Sequence, residues 1–125
     1  MSYGEFQKYL EITYDGKVNF SRDIHKKLRQ IIIDTIEALA PKLDPNRRKH
    51  SFELFGYDFM IDDEFNVYLI EVNTNPCLET ESTLLSRIIP ALIDNTLKIV
   101  LDPLFPNRQK KNKFGENKFE LVYSN

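Results

Sequence analysis

The chain has 125 residues, 42% of them hydrophobic and 29% charged, with a formal net charge of -2. That suits one ordinary domain or part of one, with apolar material for a modest core and without the global field that would draw it onto nucleic acid or a membrane surface. A single cysteine, Cys77, excludes an internal disulfide, Glu5, Gln7 and Lys8 interrupt any signal-like apolar start, and no apolar run reaches the ~20 residues of a bilayer span, so a soluble protein of the reducing cytosol is expected.

Ser2 to Leu10 suits one or two helical turns, and Ile12 to Phe20, centred on Asp15-Gly16, a short turn or hairpin. From there Ile24, Leu28, Ile31, Ile32, Thr35, Ile36 and Leu39 recur at helical spacing. With Ser21 as N-cap and Pro41 as stop, they predict an amphipathic helix over Arg22 to Ala40. Pro41 to His50 is polar, holds Arg47-Arg48-Lys49-His50 and reads as a connecting loop. Phe52 to Asp62 and Asn66 to Asn73 are rich in aromatic and β-branched residues around an acidic Asp62-Asp63-Glu64, which predicts an antiparallel hairpin.

After Asn75-Pro76 breaks the second strand, Thr80 or Ser82 is placed to cap another helix. Its apolar positions are Leu84, Leu85, Ile88, Ile89, Leu92, Ile93, Leu97 and Val100, with Pro90 as a candidate kink. Asp102-Pro103 and Phe105-Pro106 end it, leaving 107–125 as a basic, flexible tail with Arg108, Lys110, Lys111 and Lys113. The expected fold class is therefore mixed α/β (α+β): an antiparallel hairpin flanked by amphipathic helices, forming part of a larger sheet and exposing an apolar face on its own.

Chemistry concentrates in the hairpin. Each strand is nearly continuous in apolar residues, as when both faces are covered, and Asp58, Glu71 and Asn73 are the exceptions. A buried acid or amide costs several kcal/mol unless compensated, and a bound cation compensates well. Glu71 and Asn73 are two apart and share a face. A four-residue loop at Asp63 to Asn66 pairs Asp62 with Val67, hence Asp58 with Glu71, and Gly56 with Asn73. A slip of one residue would send Asp58 to the other side. Any one such acid is usually a strand-edge residue facing water, but three oxygen-bearing side chains on one face favour a site. Hard oxygen donors suit Mg²⁺, which keeps waters and completes its shell with substrate phosphates. One cysteine and the distant His25 and His50 are too few for zinc.

Gly56-Tyr57-Asp58-Phe59-Met60-Ile61-Asp62 and Tyr68-Leu69-Ile70-Glu71-Val72-Asn73-Thr74-Asn75-Pro76 resemble the C-terminal portion of the tubulin tyrosine ligase-like family, within the ATP-grasp superfamily. The resemblance extends over most of Ser2 to Pro106, so 1–106 is expected to be a C-terminal segment of such a domain. It implies that Asp58, Glu71 and Asn73 match magnesium ligands at an ATP site. It also implies joining of tyrosine, glutamate or glycine to tubulin C-terminal tails through an acyl-phosphate, in the cytoplasm, at the cytoskeleton or cilium. The N-terminal and central ATP-grasp regions, with their phosphate-holding lysines, are expected outside this chain, which alone is then inactive. The alternative is a noncatalytic, truncated family member acting as an interaction module. Nucleic-acid binding through the basic clusters at Arg47 to Lys49 and Arg108 to Lys113 ranks below both, because a solvated loop and tail explain them more simply.

Overall fold

A computed structural model describes residues 1–105 and 117–124. In chain order it contains α1 (Tyr3–Thr13), a π-helical turn (Phe20–His25), α2 (Lys26–Leu43), β1 (Gly56–Ile61), β2 (Val67–Asn73) and α3 (Leu85–Val100). Residues fall into two compact units. The first holds Met1–Arg48, Glu53–Pro76 and 122–124, and the second holds Lys49–Phe52 with the described part of Cys77–Leu121.

In the first unit α1 is longer than its weak periodicity predicts, because its start is well anchored. Ser2 and Glu5 form a capping box: Ser2 Oγ accepts from Glu5 N–H, and the Glu5 carboxylate accepts from Ser2 N–H, which satisfies two donors that no helical turn can reach. Asp15 (φ 49°) and Gly16 (φ 70°) then turn the chain in the left-handed region, with Gly16 N–H donating to the Glu11 carbonyl at 3.0 Å. Of the expected turn or hairpin here, the chain forms the turn, and it terminates α1.

The next helix starts differently from the expectation. Asn19, not Ser21, is the N-cap: its Oδ1 accepts from Arg22 N–H at 3.0 Å, and its own N–H donates to Asp23 Oδ2 at 2.8 Å. The return bond to Asp23 spans four residues where that of a capping box spans three, which matches the wider π-helical turn it opens. Nor does Pro41 stop α2. Its missing N–H forfeits a bond only in the last turn, and the helix runs on to Leu43, where Asp44 N–H reaches the Ala40 carbonyl at 3.5 Å. Gln7 Oε1 accepts from Phe20 N–H at 2.7 Å and ties the π-helical turn to α1.

Leu10, Phe20 and Ile24 form the buried centre, with Phe6, Tyr14, Val18, Leu28, Ile61, Phe65 and Val67 packed around them. The last three belong to the closed end of the hairpin. There Asp62 organises the loop: Oδ1 accepts from the N–H groups of Glu64 (3.1 Å) and Asn66 (2.7 Å), and Oδ2 accepts from Asn66 Nδ2 (3.0 Å) and the Tyr68 hydroxyl (3.1 Å). Such donation favours the ionised form, so the carboxyl of Asp62 sits below its ordinary range, chiefly through the Asn66 side chain, and Tyr68 is raised by giving its proton to Asp62. These bonds hold Phe65 at φ 62°, unusual for a non-glycine residue, and so turn its ring into the core.

In the second unit Ser82, one of the two expected cap positions, accepts through Oγ from Leu85 N–H at 3.1 Å just ahead of α3, which passes through Pro90 to Val100. The apolar stripe of α3 is only partly covered: Ile89, Leu92, Ile93 and Val100 are half-buried and Leu85, Ile88 and Leu97 exposed, while the helix's fully buried residues are Asn95 and Thr96. Thr96 satisfies its hydroxyl on the Leu92 carbonyl at 2.9 Å, and Asn117 Nδ2 donates to the Asn95 carbonyl at 2.9 Å. Of the expected tail, 107–116 lies outside the described residues. No helix among the described residues is long and apolar enough to cross a membrane.

Candidate metal centre

The two strands pair antiparallel, with Gly56 opposite Asn73, Tyr57 opposite Val72 and Asp58 opposite Glu71. These pairings match the expected ones, but the route to them differs. At the closed end Ile61 faces Val67, one residue out of the expected step, because the loop comprises five residues, Asp62 to Asn66. Carried straight along the ladder, that register would set Asp58 opposite Ile70 and turn Glu71 to the far face. A bulge prevents this. Between Phe59–Leu69 and Asp58–Glu71, Ile70 is the extra residue, and beyond it the pairing shifts by one. Consecutive exposure of Ile70 and Glu71 is its signature, since strict alternation would expose only one of them.

Asp58, Glu71 and Asn73 therefore project from one face. Asn73 Nδ2 donates to Asp58 Oδ2 at 3.1 Å and to Glu71 Oε1 at 3.2 Å, so one amide nitrogen links both carboxylates. Two like charges brought together repel, and a shared donor offsets part of that repulsion. The nitrogen stands where a cation would be welcome. To serve as a third oxygen donor, Asn73 would turn its amide over and present Oδ1, leaving two carboxylates and a carbonyl-type oxygen. That set matches the hard-donor preference of Mg²⁺ and leaves positions for water or phosphate. Among the described residues no three His, Cys, Asp or Glu gather as a metal cage.

Gly56 lies where the strands open. A Cβ there would stand 3.0 Å from Pro76 Cβ, so the missing side chain lets the segment after Asn73 fold back against β1. The opposite face of the hairpin points inward: the Tyr57 hydroxyl meets Thr35 Oγ1 of α2 at 3.0 Å, and Tyr57 and Phe59 stack with centroids 5.9 Å apart. The expectation that both faces are covered holds for one only. Around the candidate ligands Met60 (60%), Tyr68 (52%) and Ile70 (56%) are exposed, as are Asp58 and Glu71. His25 and His50 are exposed, as is Cys77. Of the basic clusters, Arg47 to Lys49 is exposed loop, and Arg108 to Lys113 lies outside the described residues. A different basic group, Lys17, Arg22, Lys26 and Lys27, lines a cavity in the first unit. Its local charge density was the signal for it in the sequence.

A mixed α/β segment whose hairpin presents two carboxylates and an amide on one open face is thus what the fold and site define. The chain belongs to the tubulin-tyrosine ligase family, whose sequence profile matches residues 1–111. It is 30% identical over 123 residues to "Tubulin glycylase 3B" of Tetrahymena thermophila, covering 98% of this chain and 10% of that one. It is 40% identical over 117 residues to "Tubulin glycylase 3D" of the same organism, covering 90% of this chain and 11% of the relative. Human "Inactive polyglycylase TTLL10" is 40% identical over 79 residues, 63% of this chain and 11% of its own length. The chain spans about a tenth of the length of the curated relatives it matches.

Proposed function

We propose that this chain is the C-terminal, metal-binding segment of an ATP-grasp ligase that adds an amino acid to tubulin, with Asp58, Glu71 and Asn73 as the residues that hold Mg²⁺ at an ATP site. The observation that carries the reading is the convergence of those three side chains on one hairpin face, joined by a single amide nitrogen. Family membership supports it, and so do relatives named tubulin glycylases. The ion would supply positive charge against phosphate oxygens, where charge must be offset during phosphoryl transfer. This chain's part is to keep the two carboxylates on one face and to orient them through the bulge and Asn73. In the reaction a tubulin carboxylate would take the γ-phosphoryl group of ATP, releasing ADP, and an amino-acid amine would displace phosphate from the acyl-phosphate. Glycine is the amino acid that the relatives' names favour, with tyrosine and glutamate as alternatives. The cytoplasm, at the cytoskeleton or cilium, is where such a substrate is found.

Calorimetric titration of Mg²⁺-ATP into the chain tests the site. Heat of binding that disappears in Asp58→Ala and Glu71→Gln supports it, and equal titrations for wild type and variants refute it. A second reading, a noncatalytic member serving as an interaction module, is favoured by the likeness to a human relative named inactive. It predicts no nucleotide-dependent heat in any of the three proteins.

A further inference from the structure

Between the end of α2 at Leu43 and the start of β1 at Gly56, every residue from Pro45 to Glu53 is exposed. Within that stretch stands Arg47-Arg48-Lys49-His50-Ser51-Phe52. Ser51 has Arg48 three residues before it, Arg47 four before it, and directly after it the aromatic Phe52, 56% exposed. No other serine or threonine of the chain has a lysine or arginine three residues before it.

A protein kinase takes its substrate as an extended peptide laid across a cleft, so the accepting hydroxyl must lie in a segment that can be drawn out without unwinding a helix or strand. Several other hydroxyls fail that condition. Ser2 and Ser82 accept from helical N–H groups, and Thr35 donates to carbonyls within α2. Around Ser51 neither α2 nor β1 has to open. Arg47 (φ 46°) and His50 (φ 60°) also stand in the left-handed region, sparsely populated for residues with side chains, so drawing the loop straight relieves backbone strain. The local charge selects the kind of kinase. Three successive cations, Arg47, Arg48 and Lys49, suit a cleft lined by carboxylates, against which a guanidinium makes paired, charge-assisted hydrogen bonds.

We propose that Ser51 is a phosphorylation site for a serine/threonine kinase that selects arginine upstream of the acceptor. Arg48 is the main recognition residue, and Phe52 rests on an apolar wall of the cleft. With ATP supplied by the kinase, a bond forms between Ser51 Oγ and the γ-phosphorus while the bond from that phosphorus to the β-phosphate oxygen breaks. ADP leaves, and the hydroxyl proton passes to the catalytic aspartate of the kinase. The new phosphate places about -1.5 to -2 charges beside Arg47, Arg48 and Lys49 and cancels most of the positive field of the loop. None of Asp58, Glu71 or Asn73 takes part, so the site stands whether or not the ligase reading does.

The test is to incubate the whole folded chain with radiolabelled ATP and the catalytic subunit of cyclic-AMP-dependent protein kinase, and to locate the label by fragmentation mass spectrometry. A single phosphate should appear, on Ser51, and Ser51→Ala should take up none. Arg48→Ala should lower kcat/KM about tenfold or more, the loss expected for a charge-assisted contact. Asp58→Ala should be phosphorylated as wild type is, which separates this site from the nucleotide site. Circular dichroism checks that each variant keeps the wild-type helix content. Absence of labelling, undiminished labelling of Ser51→Ala, equal kcat/KM for Arg48→Ala, or labelling only after the chain has been unfolded by heat would each overturn the proposal.

Discussion

The two ends of the hairpin are built on opposite principles. At the closed end Ile61, Phe65 and Val67 pack on Leu10, Phe20 and Ile24, and Asp62 ties the loop with four accepted hydrogen bonds. At the open end Asp58 and Glu71 stand in solvent, joined only through Asn73, and exposed Met60 and Ile70 surround them. The closed end sets the register and the open end uses it. Between them Ile70 inserts one residue, so a loop register that would separate the two carboxylates brings them together. A candidate face can thus be positioned by packing at the far end of a ladder, with a bulge as the adjuster.

That comparison can be broken at its base. Ile24 is wholly buried, so Ile24→Ala removes core contacts beneath the hairpin tip and should destabilise the first unit by about 2–5 kcal/mol, read from urea unfolding. A loss below about 1 kcal/mol would mean that the closed end does not depend on this core. Next in size is Gly56→Ala at the open end. With Pro76 Cβ 3.0 Å from the added methyl, the exit segment must move, and the expected cost is about 1 kcal/mol. An unchanged unfolding midpoint would show that Pro76 yields freely.

A smaller effect should appear in acid. The Asp23 carboxyl is held down to about 2 from an ordinary 3.8 by the Arg22 guanidinium and then by the Asn19 N–H. A carboxyl lowered by folding stabilises the fold fully above its ordinary value, and that contribution is lost as pH falls from about 4 to about 2. Helical circular dichroism of wild type should decline through that window, and Asp23→Asn should show a shallower acid limb. Identical limbs would remove Asp23 from the account.

Smallest of all should be the effect of deleting Ile70. The shortened strand places Glu71 opposite Asp58 without a bulge, in the register already set at the tip, so under the proposed reading Mg²⁺-ATP affinity should stay within about twofold of wild type. Abolition of binding would show that the bulge shapes the site beyond restoring its register.

Much of this was readable residue by residue. The hairpin, α2 and α3 follow from periodicity and from turn-forming residues, whereas the Asp58–Glu71 pairing expected from a four-residue loop is reached through a five-residue loop and a bulge. Ser2 and Glu5 at capping-box spacing were a readable sign of the firm α1 start. Other features were not readable in that way. Asn19 and Ser21 are both good caps by composition, and the choice between them depends on Asp23 reaching back to the Asn19 N–H. Pro41 is a stop signal in isolation, but two further residues of helix stand beyond it. For α3 the apolar stripe is half-covered at Ile89, Leu92, Ile93 and Val100, while the fully buried residues are Asn95 and Thr96. Periodicity states which face is apolar and says nothing about what covers it.

By itself the sequence determined the kinds of element, the two apolar strands and the three oxygen-bearing residues that interrupt them, because these depend on side-chain chemistry and spacing along the chain. Only the tertiary structure decided that those residues share a face. Loop length and the bulge at Ile70 each shift the ladder by one residue, and their sum depends on how Asp62 and the core beneath Phe65 hold the turn. A strand's faces alternate with every residue, so a single unit of register, invisible in composition, separates a candidate site from two unrelated surface acids.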